Sequence, residues 1–148
     1  MTEKLSSSIG AEPGHGPRVL VVEDSPINRE LAIRALQRLG ARVESVENGA
    51  QAVTAVAAER YDIVFMDLMM PVMNGLDATR AIRAAENAAA RSRTPIVALT
   101  AQAIMGDRQT CLDAGMDDYM TKPFTRAQIA DMLARWTGSR MRVPPGPL

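Results

Sequence analysis

The sequence of 148 residues contains very few cysteines, histidines and lysines. A single cysteine, Cys111, excludes an internal disulfide and a cluster of thiolate metal ligands, so we expect a reducing, cytoplasmic compartment. No apolar run approaches the ~20 residues of a membrane-spanning helix, and the N-terminus lacks the apolar region of a signal peptide. The formal net charge of zero, from 17 basic and 17 acidic residues, argues against direct binding to nucleic acid or to an anionic membrane.

The length predicts one folded domain with a self-sufficient core, and it is too short for two ordinary domains. Residues 1–17 and 137–148 are dominated by small, polar and proline residues, so we expect both segments to be disordered tails. The folded domain is therefore expected over residues 18–136. Any further domain is expected on another chain.

Strand-like and helix-like segments alternate five times across this domain. The predicted strands are 18–22, 42–46, 63–66, 96–99 and 118–121. The predicted helices are 26–39, about 50–60, 76–90, 104–114 and a last one that follows Thr125. Parallel strands need crossover connections, so five such units predict a parallel sheet with helices on both faces.

Apolar side chains recur at helical spacing in the first and last helices, which predicts a buried face for each. In the first helix the residues are Ile27, Leu31, Ala35 and Leu39. In the last helix they are Ile129, Met132, Leu133 and Trp136. Capping sequences mark both starts, with Ser25 and Pro26 in the first helix and a capping box of Thr125 and Gln128 in the last.

Polar side chains stand at the ends of four predicted strands, namely Glu23 with Asp24, then Asp67, Thr100 and Lys122. Ligands of open α/β sheets gather at the carboxyl ends of strands, so we expect these side chains to converge. Three clustered carboxylates repel one another unless a cation joins them, and Mg²⁺ suits such oxygen ligands. Aspartate is an accepted covalent acceptor in phosphoryl transfer, which makes Asp67 the candidate acceptor and leaves Thr100 and Lys122 to bind phosphoryl oxygens. The only other lysine is Lys4, in the expected tail.

Four motifs in this order resemble those of the receiver domain of two-component response regulators. They are the acidic pair at 23–24, DLMMPVMNG at 67–75, ALTA at 98–101 and DYMTKPF at 118–124. The resemblance spans residues 18–136, and the stretches NRELA and MDLMMPVMNGLDATRAIR look most like receivers of hybrid histidine kinases and phosphorelays. It implies an α/β, flavodoxin-like (βα)5 fold, a doubly wound parallel sheet with strand order 2-1-3-4-5.

The resemblance also implies a phosphoacceptor signalling module of a two-component or phosphorelay system. Asp67 would become an aspartylphosphate, taking its phosphoryl group from a phosphohistidine on a histidine kinase or a histidine phosphotransfer protein. Mg²⁺ would be held by Glu23, Asp24, Asp67 and the backbone carbonyl of Met69. Such a module catalyses only its own phosphorylation and dephosphorylation, and is not otherwise an enzyme.

Thr100 and Tyr119 would form the switch pair of such a module, in which the hydroxyl moves to the phosphoryl group and the ring follows inward. The Lys122–Pro123 peptide would be cis. Phosphorylation would change the protein-binding surface near helix 4, strand 5 and helix 5, which would contact a downstream protein rather than nucleic acid. We expect a monomer or a weak, phosphorylation-dependent dimer.

Three positions depart from the commonest pattern of the family. Glu23 replaces one aspartate of the acidic pair but keeps a carboxylate for metal. Met69 and Gln102 stand two residues beyond the phosphoacceptor and the switch threonine, where residues of the family flank the hydrolytic water, so we hypothesise slow self-dephosphorylation. The only histidine, His15, lies in the expected tail, which indicates that the phosphodonor is a separate protein.

Three other readings compete with a phosphorylated receiver. A phosphatase of the haloacid dehalogenase type needs a second aspartate two residues after its nucleophile, where this chain has Met69. For flavin or dinucleotide binding, the sequence lacks the glycine-rich fingerprint expected after the first strand. A receiver that binds partners without being phosphorylated is disfavoured by the presence of Asp67, Thr100 and Lys122 together.

Overall fold

The computed structural model describes residues 16–70, 72–101 and 107–138. Within these ranges it contains five strands, β1 (Arg18–Val22), β2 (Arg42–Val46), β3 (Ile63–Asp67), β4 (Ile96–Thr100) and β5 (Asp118–Thr121). The helices are α1 (Pro26–Arg38), α2 (Gly49–Ala58), α3 (Gly75–Ala88), α4 (Asp107–Ala114) and α5 (Arg126–Thr137). All strand pairs are parallel and the order is β2-β1-β3-β4-β5, which confirms the expected flavodoxin-like sheet.

The sheet separates two hydrophobic cores. On one face α1 and α5 pack through residues such as Leu36 and Leu133. On the other face lie α2, α3 and α4, with Val56, Ile82 and Cys111 among the buried side chains. Every residue of β3 and of β4 is buried, as expected for central parallel strands covered on both sides.

The buried face of α1 differs from the expected stripe. Ala32 and Leu36 are buried, whereas Ile27 and Leu31 are 73% and 59% exposed, so the prediction for these two residues was wrong. An α-helix turns by about 100° per residue, so a strict four-residue series drifts by about 40° at each step. The series therefore starts on the solvent side and only its last two members pack against the core.

The face of α5 agrees with its prediction. Ile129, Met132 and Leu133 are buried, and Trp136 packs against the same core while partly exposed. The expected capping box is also present, because the Thr125 side chain accepts from the Gln128 backbone N–H and the Gln128 side chain accepts from the Thr125 N–H.

The described fold extends slightly beyond the expected domain limits. The Pro17 carbonyl accepts a hydrogen bond from the Arg42 N–H of β2, and α5 continues to the buried Thr137. The remainder of both expected tails, and the expected start of helix 4 at residue 104, lie outside the described residues. No described helix is long and apolar enough to cross a bilayer.

A buried ionic network fixes the sheet edge opposite the carboxyl ends. Arg83 of α3 donates to Glu86, to the Asp117 carboxylate and to the carbonyls of Thr94 and Gly115, at 2.8–2.9 Å. Glu86 is only 7% exposed and also accepts from the Thr94 N–H. Buried charges are tolerated when they are paired and fully hydrogen-bonded, so this network fastens α3 to the starts of β4 and β5.

Candidate functional site

The polar residues predicted for the site lie together at the carboxyl edge of the sheet. Asp67 is the last residue of β3 and Thr100 the last of β4, while Glu23 and Lys122 directly follow β1 and β5. The strand registers bring these ends to one level. The convergence expected from parallel topology is therefore present in the structure.

Glu23, Asp24 and Asp67 form an acidic cluster in which one carboxylate oxygen from each lies within 4.8 Å of the others. Glu23 and Asp67 are 2% and 5% exposed, whereas Asp24 is exposed. Hard carboxylate oxygens that are partly open to water form the donor set that Mg²⁺ prefers. The residues present thus fit a divalent cation.

Lys122 is the cation that the chain itself places at this cluster. Its Nζ lies 2.8 Å from Glu23 Oε1 and 3.5 Å from Asp67 Oδ1, and its side chain is 17% exposed. The Lys122 backbone N–H donates to the Thr100 carbonyl at 2.7 Å, which fixes the start of the loop after β5. The peptide that follows, to Pro123, is cis.

The environment of Asp67 opposes its ionisation. Burial, and after it the negative charge of Glu23, raise the pKa of Asp67 from 3.8 to about 6. The Lys122 ammonium and the Met69 N–H, which donates to Asp67 Oδ1 at 3.4 Å, act in the opposite direction but do not outweigh burial. An additional cation bound beside Asp67 would therefore favour its ionised form.

The first residue of α3 lies close to the backbone of Asp67. A Cβ on Gly75 would collide with the Asp67 carbonyl oxygen and lie 3.1 Å from the Leu68 Cα, so only glycine fits there. The Gly75 N–H donates to the Leu68 carbonyl at 3.1 Å, and the Asn74 side chain caps α3. The final glycine of the motif at 67–75 is thus explained by the approach of α3 to the strand end.

Two exposed residues in this loop carry features that the sequence did not predict. The side chain of Met69 is 78% exposed beside the acidic cluster. Val72 is 82% exposed and has a φ of 69°, a left-handed conformation that is costly for a β-branched residue. Pro71 and Gln102 lie outside the described residues.

Arg29 belongs to the surroundings of the site, although the sequence analysis missed it. Its guanidinium donates to the Glu23 backbone carbonyl at 2.9 Å and lies 3.9 Å from Glu47. The contact ties α1 to the loop that presents the acidic pair. An arginine in the second turn of a helix has no local signal that would single it out, because its partners come from other elements.

Thr100 and Tyr119 lie on the same face of the sheet. Tyr119 is in register with Ala98, two residues before Thr100, so the ring and the hydroxyl are diagonal neighbours across β4 and β5. Thr100 is 5% exposed, and Tyr119 is partly buried against the core formed with α2, α3 and α4. The arrangement brings the proposed switch pair to adjacent strands.

Comparison with known proteins agrees with this geometry. Residues 19–134 match the family model described as the response regulator receiver domain. The chain belongs to the response regulator receiver domain family. The sensor protein GacS of Pseudomonas syringae pv. syringae is 48% identical over 128 residues, which cover 86% of this chain but 14% of that protein. This chain therefore matches only a small part of that longer relative.

Two solved receiver structures are also similar. The receiver domain of the sensor histidine kinase PA1611 from Pseudomonas aeruginosa PAO1, with a magnesium ion coordinated in its active site cleft, is 49% identical; the match covers 84% of this chain and 99% of that one with a TM-score of 0.76. The receiver domain of Ssk1 from Saccharomyces cerevisiae, in complex with the histidine phosphotransfer protein Ypd1, is 30% identical; coverage is 82% and 90%, with a TM-score of 0.78. The expected likeness to receivers of histidine kinases is confirmed.

Proposed function

We propose that this receiver domain is phosphorylated on Asp67 by a phosphohistidine donor and that Mg²⁺ assists the transfer. The observation that carries the proposal is the meeting of Glu23, Asp24 and Asp67 within 4.8 Å beside Lys122, at the carboxyl edge of the sheet. A histidine kinase or a histidine phosphotransfer protein is the proposed donor. The similarity to a receiver solved with such a phosphotransfer protein supports this choice.

In the proposed reaction an oxygen of the Asp67 carboxylate attacks the phosphorus atom of the phosphohistidine. The P–N bond breaks, and the imidazole leaves with the bonding electron pair and takes up a proton. Glu23, Asp24, Asp67 and the backbone carbonyl of Met69 are the proposed metal ligands. Bound Mg²⁺ would supply positive charge that offsets repulsion between carboxylates and phosphoryl oxygens.

Lys122 and Thr100 are proposed to bind the phosphoryl oxygens on the side of β4 and β5. The Lys122 Nζ lies 3.5 Å from Asp67 Oδ1, so a small movement would bring the ammonium to an oxygen of a phosphoryl group on Asp67. A compact ammonium suits this crowded position better than a guanidinium fork. Lys122→Arg is therefore expected to weaken the coupling between phosphorylation and partner binding more than it weakens metal binding.

The donor is proposed to dock against the exposed apolar surface of α1. Leu31 lines a groove of about 540 Å³ together with Glu23, Lys122 and Phe124. The exposed Ile27 shares a second groove, of about 360 Å³, with Leu31. The larger groove opens next to the acidic cluster, so a protein that covers it would bring its phosphohistidine to Asp67. This position explains why two large apolar residues of α1 remain in contact with water.

Phosphorylation is proposed to shift an equilibrium between two conformations of the domain. The Thr100 hydroxyl would move to the phosphoryl group and the Tyr119 ring would turn inward after it. The surface formed by α4, β5 and α5 would then change and bind a downstream protein, with a monomer or a weak phosphorylation-dependent dimer as the active form. The cytoplasmic location and the absence of direct nucleic acid contact, both expected from composition, belong to the same proposal.

Intact mass spectrometry tests the proposed phosphorylation. The protein is incubated with Mg²⁺ and acetyl phosphate, or with a phosphorylated histidine phosphotransfer protein, and the gain of one phosphoryl group is followed. We expect labelling of the wild type and of Asp77→Asn, an exposed carboxylate variant outside the site, and none of Asp67→Asn. An unlabelled wild type, or equal labelling of Asp67→Asn, would refute the proposal.

A further inference from the structure

Asp118, the first residue of β5, joins three elements of the proposed output surface. Its Oδ2 accepts hydrogen bonds from Arg135 at 2.9 Å and from the Trp136 indole at 3.1 Å, both on α5. Its Oδ1 lies 3.8 Å from the guanidinium of Arg108 on α4 and accepts from the Tyr119 N–H at 2.9 Å. The carboxylate is 8% exposed, so α4 and α5 are both tied to the start of β5.

Arg108 makes a second contact, with the ring of Tyr119. The centre of its guanidinium lies 5.8 Å from the ring centroid, within the range in which a cation is attracted to an aromatic face. The same side chain is 60% exposed and is not part of the core. Arg108 therefore contacts both Asp118 and the neighbouring Tyr119. Because its side chain is largely exposed, we expect these contacts to contribute little to the stability of the fold.

We propose that Arg108 is a positioning residue that holds the Tyr119 ring against α4 in the unphosphorylated domain. The inference rests on the proposed switch of Thr100 and Tyr119. Inward rotation of the ring would give up the contact with Arg108, so this contact favours the resting conformation. An exposed cation–π contact of this kind changes such an equilibrium by about two- to fivefold.

Arg135 provides a matched control because it pairs with the same carboxylate, whereas among the described residues the guanidinium over the Tyr119 ring is that of Arg108. It bonds to Asp118 and Asp131, and its side chain is 53% exposed, close to the exposure of Arg108. Loss of a cation paired with Asp118 is therefore common to Arg108→Met and Arg135→Met. Loss of the ring contact occurs only in Arg108→Met, while Arg108→Lys keeps a cation on the same helix.

Nuclear magnetic resonance of ring-labelled tyrosine measures the position of the Tyr119 ring. A purely structural role of Arg108 would leave these ring signals unchanged. The sequence has two tyrosines, so Tyr61, which lies between α2 and β3 and donates to Glu44 of β2, serves as an internal reference. In the absence of any phosphodonor, Arg108→Met is expected to move the Tyr119 ring signals toward those of the phosphorylated wild type. Arg108→Lys is expected to restore them in part, and Arg135→Met to leave them near the resting position.

Phosphorylation kinetics provide the second measurement on the same proteins. Arg108→Met is expected to take up phosphoryl groups from acetyl phosphate about two- to fivefold faster, because more of it is already in the receptive conformation. Unchanged Tyr119 signals and rates in Arg108→Met, or equal changes in Arg135→Met, would overturn the role of Arg108. A wild type that takes up no phosphoryl group would instead overturn the proposed function.

Discussion

Ionised Asp67 is expected to destabilise the domain in the absence of a metal ion, and its replacement by asparagine is expected to stabilise the fold. Burial and the charge of Glu23 raise the pKa of Asp67 from 3.8 to about 6, and Lys122 offsets only part of this. One pKa unit corresponds to about 1.4 kcal/mol, so ionised Asp67 is expected to lower the free energy of unfolding by up to about 3 kcal/mol at neutral pH. Asparagine keeps the volume and the acceptor oxygen but carries no charge, and Lys122 retains Glu23 at 2.8 Å.

The pH dependence of this effect follows from the direction of the shift. Above the folded pKa of about 6 the carboxylate is ionised in both the folded and unfolded chains, so the whole penalty is present. Below the ordinary value of 3.8 it is protonated in both, and the penalty is absent. The advantage of Asp67→Asn is therefore expected to be full at pH 7.5, roughly half as large at pH 5 and close to zero near pH 3.5.

Urea unfolding in the presence of a chelator measures this difference, with circular dichroism and Trp136 fluorescence as probes. Asp24→Asn is the matched control, because Asp24 belongs to the same cluster but is exposed, and its variant is expected to lie within about 0.5 kcal/mol of the wild type. Adding Mg²⁺ is expected to stabilise the wild type more than Asp67→Asn, since binding to the folded state alone raises stability. Equal stability of Asp67→Asn and wild type at pH 7.5, or a gap that does not shrink at pH 5, would refute the reasoning.

Three further predictions concern residues 69–75, from the loop after β3 to the first residue of α3. Gly75→Ala is expected to lower the free energy of unfolding by about 1–3 kcal/mol and to weaken Mg²⁺ binding measured by calorimetry, because its Cβ would displace the Asp67 carbonyl; an unchanged unfolding midpoint would contradict this. Val72→Gly is expected to raise the free energy of unfolding by about 0.5–1 kcal/mol, since it removes the cost of a left-handed valine at an exposed position and the gain exceeds the added chain entropy; a less stable variant would show that the valine conformation is not strained. The aspartylphosphate is expected to persist for minutes or longer after the phosphodonor is removed, because Met69 offers no polar group to a hydrolytic water; a half-life of seconds in an intact-mass time course would exclude this role for Met69.

Much of the fold was predictable because its signals are local. The apolar runs of β3 and β4, the Ser25 cap and the capping box of α5 each lie within a few consecutive residues. The convergence of the candidate site also follows from local signals, because parallel connections bring all strand ends to the same edge. The positions of Glu23, Asp67, Thr100 and Lys122 could therefore be inferred without any knowledge of side-chain packing.

The features that escaped prediction depend on how side chains meet in the folded domain, which residue spacing does not show. The exposure of Ile27 and Leu31 depends on how α1 is rotated against the sheet, which spacing alone did not determine. The burial of Glu86 depends on Arg83 and on the Thr94 N–H, eight residues further along the chain. The role of Arg29 depends on its side chain reaching back from α1 to the Glu23 carbonyl just after β1.

The position of Lys122 has a consequence for how the domain meets its partners. Three carboxylates beside one ammonium leave a charge that a single divalent ion would cancel, so the site with the proposed Mg²⁺ bound would be close to electroneutral. Encounter with the proposed donor would then gain little from long-range attraction and would depend weakly on ionic strength. Under the proposed function, discrimination among donors would instead depend on short-range fit against the exposed Ile27 and Leu31, so substitutions on α1 would change the choice of donor without altering the chemistry at Asp67.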